Sequence, residues 1–414
     1  MTAEIAIMNT RGIAMAADSA VTLGGSGKIY NSADKLFALS KYYPVGVMIY
    51  GSSGIMGIAC ELIIKSYRDY LGTKSFDKLS EYAGDFINYL SKFPYFTEKK
   101  MIDYLESRCF DVFSHILSWF LDDLRMEFND KENIKTSEIN SFFDTTLKNI
   151  KEKMEQKEDQ KQIKLDSDFI DSNPETINKM LEIVFEKYQL SKENKSELIN
   201  ILKLDFKKCG WIDDLTGIVI AGYGEREIFP VIYSFKVSGK LGDSLIYFDI
   251  DEDQIGTDHT ASISPYAQTE MVHQFVRGID LNFFDTTIEK VDTILDLLSP
   301  LIGDSDKKKT SAISELLEEY LLNISNTVFK DPIIDIVACM EKSELVSMAE
   351  AMVNLTAMKR HISEDEESVG GPIDVALITK GDGFIWIKKK TNYDPHLNRE
   401  LNQNYFRSYK NGNL

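Results

Sequence analysis

Residues 1–54 read MTAEIAIMNTRGIAMAADSAVTLGGSGKIYNSADKLFALSKYYPVGVMIYGSSG, and this stretch decides the fold. Ala3 to Met8 is a short β-rich run, and Asn9-Thr10-Arg11-Gly12 is turn chemistry. Ile13 to Ala17 is a second strand of small and apolar residues. Leu23-Gly24-Gly25-Ser26-Gly27 has the composition of a loop. Lys35 to Leu39 and Val45 to Tyr50 are two more strands around a turn at Ser40 to Pro44. Gly51-Ser52-Ser53-Gly54 then breaks the strand pattern. Ile55, Ile58, Ala59, Leu62 and Ile63 recur at helical spacing. The opening is thus a strand meander feeding one amphipathic helix.

Working outward, residues 73–209 interleave Lys, Glu, Asp, Asn and Ser with Leu, Ile and Phe at helical periods, without a fixed repeat. They read as a helical insertion. Strands return at Leu215 to Tyr223, Val231 to Val237 and Leu245 to Ile250. Residues 265–364 read as an enlarged helical layer, and Pro372 to Ile378 with Gly383 to Lys388 as a closing strand pair. Strands arriving in adjacent groups argue against a doubly wound parallel sheet. The order fits an α+β fold, a four-layer αββα sandwich of two antiparallel sheets with helical insertions, formed by 1–414 as a single domain.

The chain has 414 residues, 43% of them hydrophobic and 27% charged, which is globular composition with length for a large core. Its formal net charge of -19 argues against nucleic acid as a partner. Cys60, Cys109, Cys209 and Cys339 are scattered without a CxxC pair, and the five histidines lack ligand spacing. No metal site, cofactor or disulfide framework is expected. The N-terminus lacks the pattern of a signal peptide, and no apolar run is long enough for a bilayer. The expected location is the cytoplasm, with no membrane partner.

Removal of Met1 would leave Thr2 with a hydroxyl and a free α-amine. An alkyl hydroxyl needs a base to become a nucleophile, and an α-amine, with a reference pKa of roughly 7.7–8.0, can be that base. Taken alone, a Met-Thr start is an ordinary processed terminus. Three further elements stand behind it: Ala16-Ala17-Asp18-Ser19-Ala20, where a strand ends at a carboxylate; Ala33-Asp34-Lys35-Leu36-Phe37, where a lysine opens a strand; and Tyr50-Gly51-Ser52-Ser53-Gly54. Each has a bland reading, respectively a turn carboxylate, a snorkelling cation and a strand-to-helix turn.

In this order the elements resemble the proteasome β-subunit family of Ntn-hydrolases, including the peptidase subunit of bacterial two-component ATP-dependent proteases. Met1 to Gly72 carries most of the resemblance. Ser368-Val369-Gly370-Gly371-Pro372-Ile373-Asp374-Val375 adds a second patch. The resemblance implies a threonine peptidase or amidase acting on a peptide or protein substrate through an acyl ester. Thr2 would be nucleophile and base, Lys35 would favour their deprotonated forms, Asp18 would orient Lys35, and the Gly51 N–H would hold the oxyanion. Ser262 loosely matches a family serine near a helix start. Ser368 and Asp365 match a late Ser–Asp pair, with Glu366 as an alternative acid. The resemblance also implies a homo-oligomer. The sequence holds no Walker A pattern, so a partner ATPase or adaptor would be a separate chain. The other reading is a non-catalytic scaffold or regulatory subunit that binds partners through its helical insertions.

Overall fold

The computed structural model describes residues 3–22, 28–128, 136–157, 165–208, 210–212, 215–302, 307–363 and 369–391. Thr2, Asp365 and Ser368 lie outside the described residues. The chain is mixed α/β, with two antiparallel sheets and many helices.

The first strands are β1 (Ala3–Asn9), β2 (Gly12–Ala17), β3 (Val21–Thr22), β4 (Ile29–Tyr30), β5 (Leu36–Ala38), β6 (Val45–Gly51), β7 (Gly54–Ile55) and β8 (Ile58–Ala59). Helices α1 (Cys60–Leu71), α2 (Leu79–Ser91), α3 (Glu98–Phe128), α4 (Thr136–Glu155), α5 (Ser167–Asp171), α6 (Pro174–Val184) and α7 (Lys192–Lys208) follow. Next come β9 (Thr216–Gly222), β10 (Val231–Leu241), β11 (Ser244–Gln254) and β12 (Ala261–Ala267). Helices α8 (Glu270–Arg277), α9 (Leu281–Ile302) and α10 (Lys307–Ile324) lead through a π-helical turn, Ser325–Lys330, to α11 (Asp331–Cys339) and α12 (Lys342–Ile362). The chain closes on β13 (Asp374–Thr379) and β14 (Gly383–Lys388). Among the described residues no helix is long and apolar enough to cross a membrane.

Two compact units emerge, where the sequence reads as one domain with insertions. The first comprises Met1–Tyr50, Ala221–Val231 and Asp253–Leu414. Its sheet has the strand order β12-β1-β2-β13-β14. Ile5 stands opposite Ala16, and Ala16 opposite Val375. These residues share one face with Ala3, Ile7, Ala14 and Leu377. They pack on Leu345, Val346, Ala349, Met352 and Val353 of α12. Residues alternate faces along a strand, so Glu4, Met15, Ala17, Asp374 and Ala376 point the other way. On that side β5, paired antiparallel with β6, contacts β2 and β13. Both faces of β1 and β2 are therefore covered, and every residue of the two strands is buried. The approach is tight: a Cβ on Gly46 would lie 2.8 Å from Ile378 Cδ1 and from the Phe384 ring.

The second unit comprises Gly51–Ile220 and Ile232–Glu252. Leu105, Cys109, Val112, Phe113, Ile116 and Phe120 form the buried stripe of α3 at helical spacing. That stripe joins side chains of α4, α6 and α7 and Leu241, Ile246 and Phe248 in one core. Asp166 caps α5 by accepting the Phe169 N–H at 3.2 Å, and Pro174 opens α6, where no N–H is required.

Two boundaries differ from the sequence reading. Ile55 and Ile58, read as helical, belong to the β7–β8 hairpin. Met56 and Gly57 make its turn with φ of 51° and 72°, both in the left-handed region that tight hairpin turns demand. Residues 261–267, read as the approach to a helix beginning near Pro265, are strand β12. It is an edge strand, where the missing proline N–H costs no ladder bond, so the strand runs through Pro265 and α8 starts only at Glu270.

Inside the second unit Arg108 donates to Asp205 Oδ2 at 2.7 Å and to the Trp211 carbonyl at 3.2 Å. Asp205 Oδ1 accepts the Trp211 N–H at 2.7 Å. Both side chains are almost wholly shielded from solvent. An Asp205→Ala variant leaves the guanidinium with only the Trp211 carbonyl and the partly exposed Asp111, 3.3 Å away, and should lose about 1.5–3 kcal/mol of stability. Urea unfolding followed by circular dichroism reads this directly, and an unchanged midpoint would refute the assignment.

Candidate functional site

β2 ends at Ala17, and the next residue turns its carboxylate inward. Asp18 Oδ1 accepts Lys35 Nζ at 2.5 Å and the Ala3 N–H at 3.1 Å. Oδ2 accepts the Gly370 N–H at 2.9 Å and the Ala20 N–H at 3.2 Å. The Asp18 N–H itself donates to the Ala3 carbonyl at 3.1 Å. The Asp18 side chain has no exposed surface, and that of Lys35 is 4% exposed. A charge this deep persists only with a counter-charge and donors for its remaining lone pairs, and Asp18 has both. Lys35 is placed by its backbone: its carbonyl accepts the Ile49 N–H at 2.9 Å, which ties the entry to β5 onto β6. Among the described residues Asp18 is the one hydrogen-bond partner of Lys35 Nζ.

The segment 369–372 closes over the same pair. Ser19 N–H donates to the Gly370 carbonyl at 3.2 Å, and Ser19 Oγ to the Pro372 carbonyl at 2.5 Å. Gly371 has a φ of 76°, and a Cβ there would lie 2.8 Å from Asn31 Cβ, so only glycine fits. The two patches singled out in the sequence, around Asp18 and around Gly370, therefore meet. Asp365 and Ser368, expected beside Gly370, fall outside the described residues.

Ser262 does not join them. In the β1–β12 register it faces Met8, whereas Ala3 faces Ala267. Five residues of strand separate the two rows, roughly 17 Å at the usual rise. Ser262 Oγ instead donates to Asp253, which also contacts His259 Nε2 at 2.9 Å. The sequence places this serine near a helix start, and the continuation of β12 through Pro265 moves that start away from it. The residues between β12 and α8 are Gln268 and Thr269; Gln268 is buried and accepts from Arg360 Nε.

Gly51, in the second unit, has a φ of 76°, and a Cβ there would sit 2.3 Å from the Leu215 carbonyl oxygen. That carbonyl accepts the Ser52 N–H at 2.8 Å, and Thr216 Oγ1 donates to the Ser52 carbonyl at 3.1 Å. The glycine is thus demanded by backbone conformation and close approach alone.

One group escaped the sequence reading. Lys390 Nζ contacts Asp374 Oδ2 and lies 3.2 Å from Asp34 Oδ1, while its N–H donates to Asp374 Oδ1 at 2.7 Å. Asp374 stands opposite Ala17, one residue before Asp18. A lysine ending the run Lys388-Lys389-Lys390 reads as surface; the weak signal was Asp374, a carboxylate opening an otherwise apolar strand. Among the described residues no group of three or more His, Cys, Asp or Glu could hold a metal ion.

No family model and no curated protein matches the chain. Solved structures similar to it include Anbu (ancestral beta-subunit) from Yersinia bercovieri, at 9% identity and a TM-score of 0.29 over all of this chain and 98% of that one. Anbu from Hyphomicrobium sp. strain MC1 stands at 8% and 0.28, over all of this chain and 98% of that one. The Anbu complex from Pseudomonas aeruginosa, described as a helical assembly, stands at 9% and 0.29, over all of this chain and 97% of that one. These findings correct the resemblance drawn from residues 1–72. The similar structures are Anbu proteins, remote in sequence and structure, and the chain is not assigned to the proteasome β-subunit peptidases.

Gly51→Ala should cost at least ~1–3 kcal/mol through its positive φ, with the blocked carbonyl adding to it. A thermal melt indistinguishable from wild type would show that the Leu215 carbonyl is not where the structure has it.

Proposed function

We propose that the chain is an N-terminal-threonine hydrolase that cleaves peptide or amide bonds. The observation that carries this reading is the buried Asp18–Lys35 pair, whose carboxylate also holds the N–H of Ala3, the residue after Thr2. It supplies what an N-terminal nucleophile requires: a rigid start to β1 and a fixed positive charge close to that start.

In this mechanism Met1 is removed, and the α-amine of Thr2 takes the proton of the Thr2 hydroxyl. The hydroxyl oxygen attacks the scissile carbonyl to give a tetrahedral oxyanion, for which the Gly51 N–H is the proposed donor. The intermediate collapses to an acyl ester and releases the amine, which receives the proton. Water, activated by the same α-amine, then frees the acid. Lys35 favours the deprotonated forms of hydroxyl and amine through its charge, and Asp18 fixes Lys35. Asp365 and Ser368 remain candidate members of the proposed catalytic set. Ser262 has no part. The αββα sandwich is the proposed frame, and its helix, sheet and strand-pair layers within the first unit support it. A peptide or protein is the proposed substrate.

Intact mass spectrometry tests the first step, the loss of Met1. Incubation with a β-lactone should then add one inhibitor mass at Thr2, and Thr2→Ala should abolish it. Retained Met1, or labelling that survives Thr2→Ala, ends the reading. Because Gly51→Ala disturbs the backbone for structural reasons, the oxyanion role is tested instead in a structure of the labelled protein.

A further inference from the structure

Three consecutive lysines run from the last residue of β14, and they meet three fates. Lys388 contacts Glu350 and is half exposed, and Lys389 lies over the Trp386 ring at 4.5 Å. Lys390 is 5% exposed in its side chain and reaches inward to two carboxylates. A lysine at the end of a strand ordinarily carries its ammonium to water. Burying it is unfavourable unless it is paired, so its inward course is dictated by the acids it meets.

Those acids adjoin the Asp18–Lys35 pair in sequence and in register. Asp34 precedes Lys35. Asp374 faces Ala17, which precedes Asp18, and Glu4 faces Ala17 from β1. Glu4, Ala17 and Asp374 share the sheet face turned toward β5, with Tyr266 of β12 next to Glu4. Among the described residues the ion pairs here join Lys35 to Asp18 and Lys390 to both Asp34 and Asp374. In these pairs three carboxylates share two ammonium groups, and Lys390 alone serves two of them. A lysine side chain has four rotatable methylenes and no preference for one carboxylate geometry, and it settles where uncompensated negative charge is greatest.

We propose that Lys390 is a positioning residue: by neutralising Asp374 and Asp34 it reserves Lys35 for Asp18. Without it, Asp374 and Asp34 would draw Lys35 from Asp18, and the N-terminal end of β1 would lose its fixed positive charge. The catalytic consequence rests on the N-terminal-threonine reading; the placement of Lys35 does not.

The test is a crystal structure of Lys390→Met together with its rate of β-lactone labelling. Lys35 Nζ is expected to leave Asp18 for Asp374 or Asp34. Labelling should slow at least about tenfold, a fraction of the roughly 100- to 10,000-fold that a positioned acid–base group contributes. Lys390→Arg should keep the wild-type rate. In Lys390→Met combined with Asp374→Asn the competing charge is gone, so Lys35 should return to Asp18 and the rate should recover. A merely structural lysine would not show that recovery, because the double variant removes still more contacts. Lys35 remaining on Asp18 in Lys390→Met overturns the proposal. If that variant does not fold, Lys390→Gln keeps a donor for Asp374 without the charge and gives the same two readouts. If the wild-type protein takes no label, the hydrolase reading fails, and the position of Lys35 decides this proposal alone.

Discussion

A carboxylate without exposed surface has to find all of its donors inside the protein, and Asp18 draws them from four places in the chain. The ammonium of Lys35 and the N–H groups of Ala3, Ala20 and Gly370 converge on its two oxygens. One side chain thereby ties the start of β1, the end of β2, the entry to β5 and the segment before β13. Leaving any of these donors or the charge unpaired costs kilocalories, so the four segments hold one another in place. The order at the N-terminal end of β1 follows from this demand more than from packing.

The same logic recurs at two further buried cations. Lys390 is folded inward because Asp374 and Asp34 are there, and Arg108 because Asp205 and the Trp211 carbonyl are there. Elsewhere the backbone packs closely enough to dictate residue type. A Cβ on Gly12 would lie 2.7 Å from the Ile378 carbonyl, and one on Gly222 2.1 Å from the Pro44 carbonyl. Glycine at such positions is a steric requirement, and Gly51 belongs with them. Its identity alone therefore says nothing about an oxyanion.

Fold and chemistry bear on function differently. The remote likeness to Anbu structures carries no argument about activity. The proposed hydrolysis rests on the chemistry of an N-terminal threonine that precedes Ala3, whose N–H the buried ion pair holds. Among the described residues Lys35 Nζ meets Asp18 alone, and Asp18 in turn holds the Ala3 N–H.

Residue order settles the elements whose signals are local. The turn at Asn9 to Gly12, the alternation between strand groups and helical groups, and the short motifs around Asp18, Lys35 and Gly370 depend on residue type and spacing within a few positions. It did not determine Pro265 as strand, because a proline is tolerated there only by virtue of β12 being an edge, and edges exist only in the assembled sheet. It did not determine the turn at Met56, whose left-handed backbone is helped by Lys100 Nζ, 2.8 Å from the Met56 carbonyl. Register removed Ser262 from the start of β1, and register is a property of paired strands. Lys390 is the clearest case. Its sequence neighbours are lysines on the surface, and its burial is decided by Asp34 and Asp374, hundreds of positions and sixteen positions away, which only the tertiary structure brings to one point.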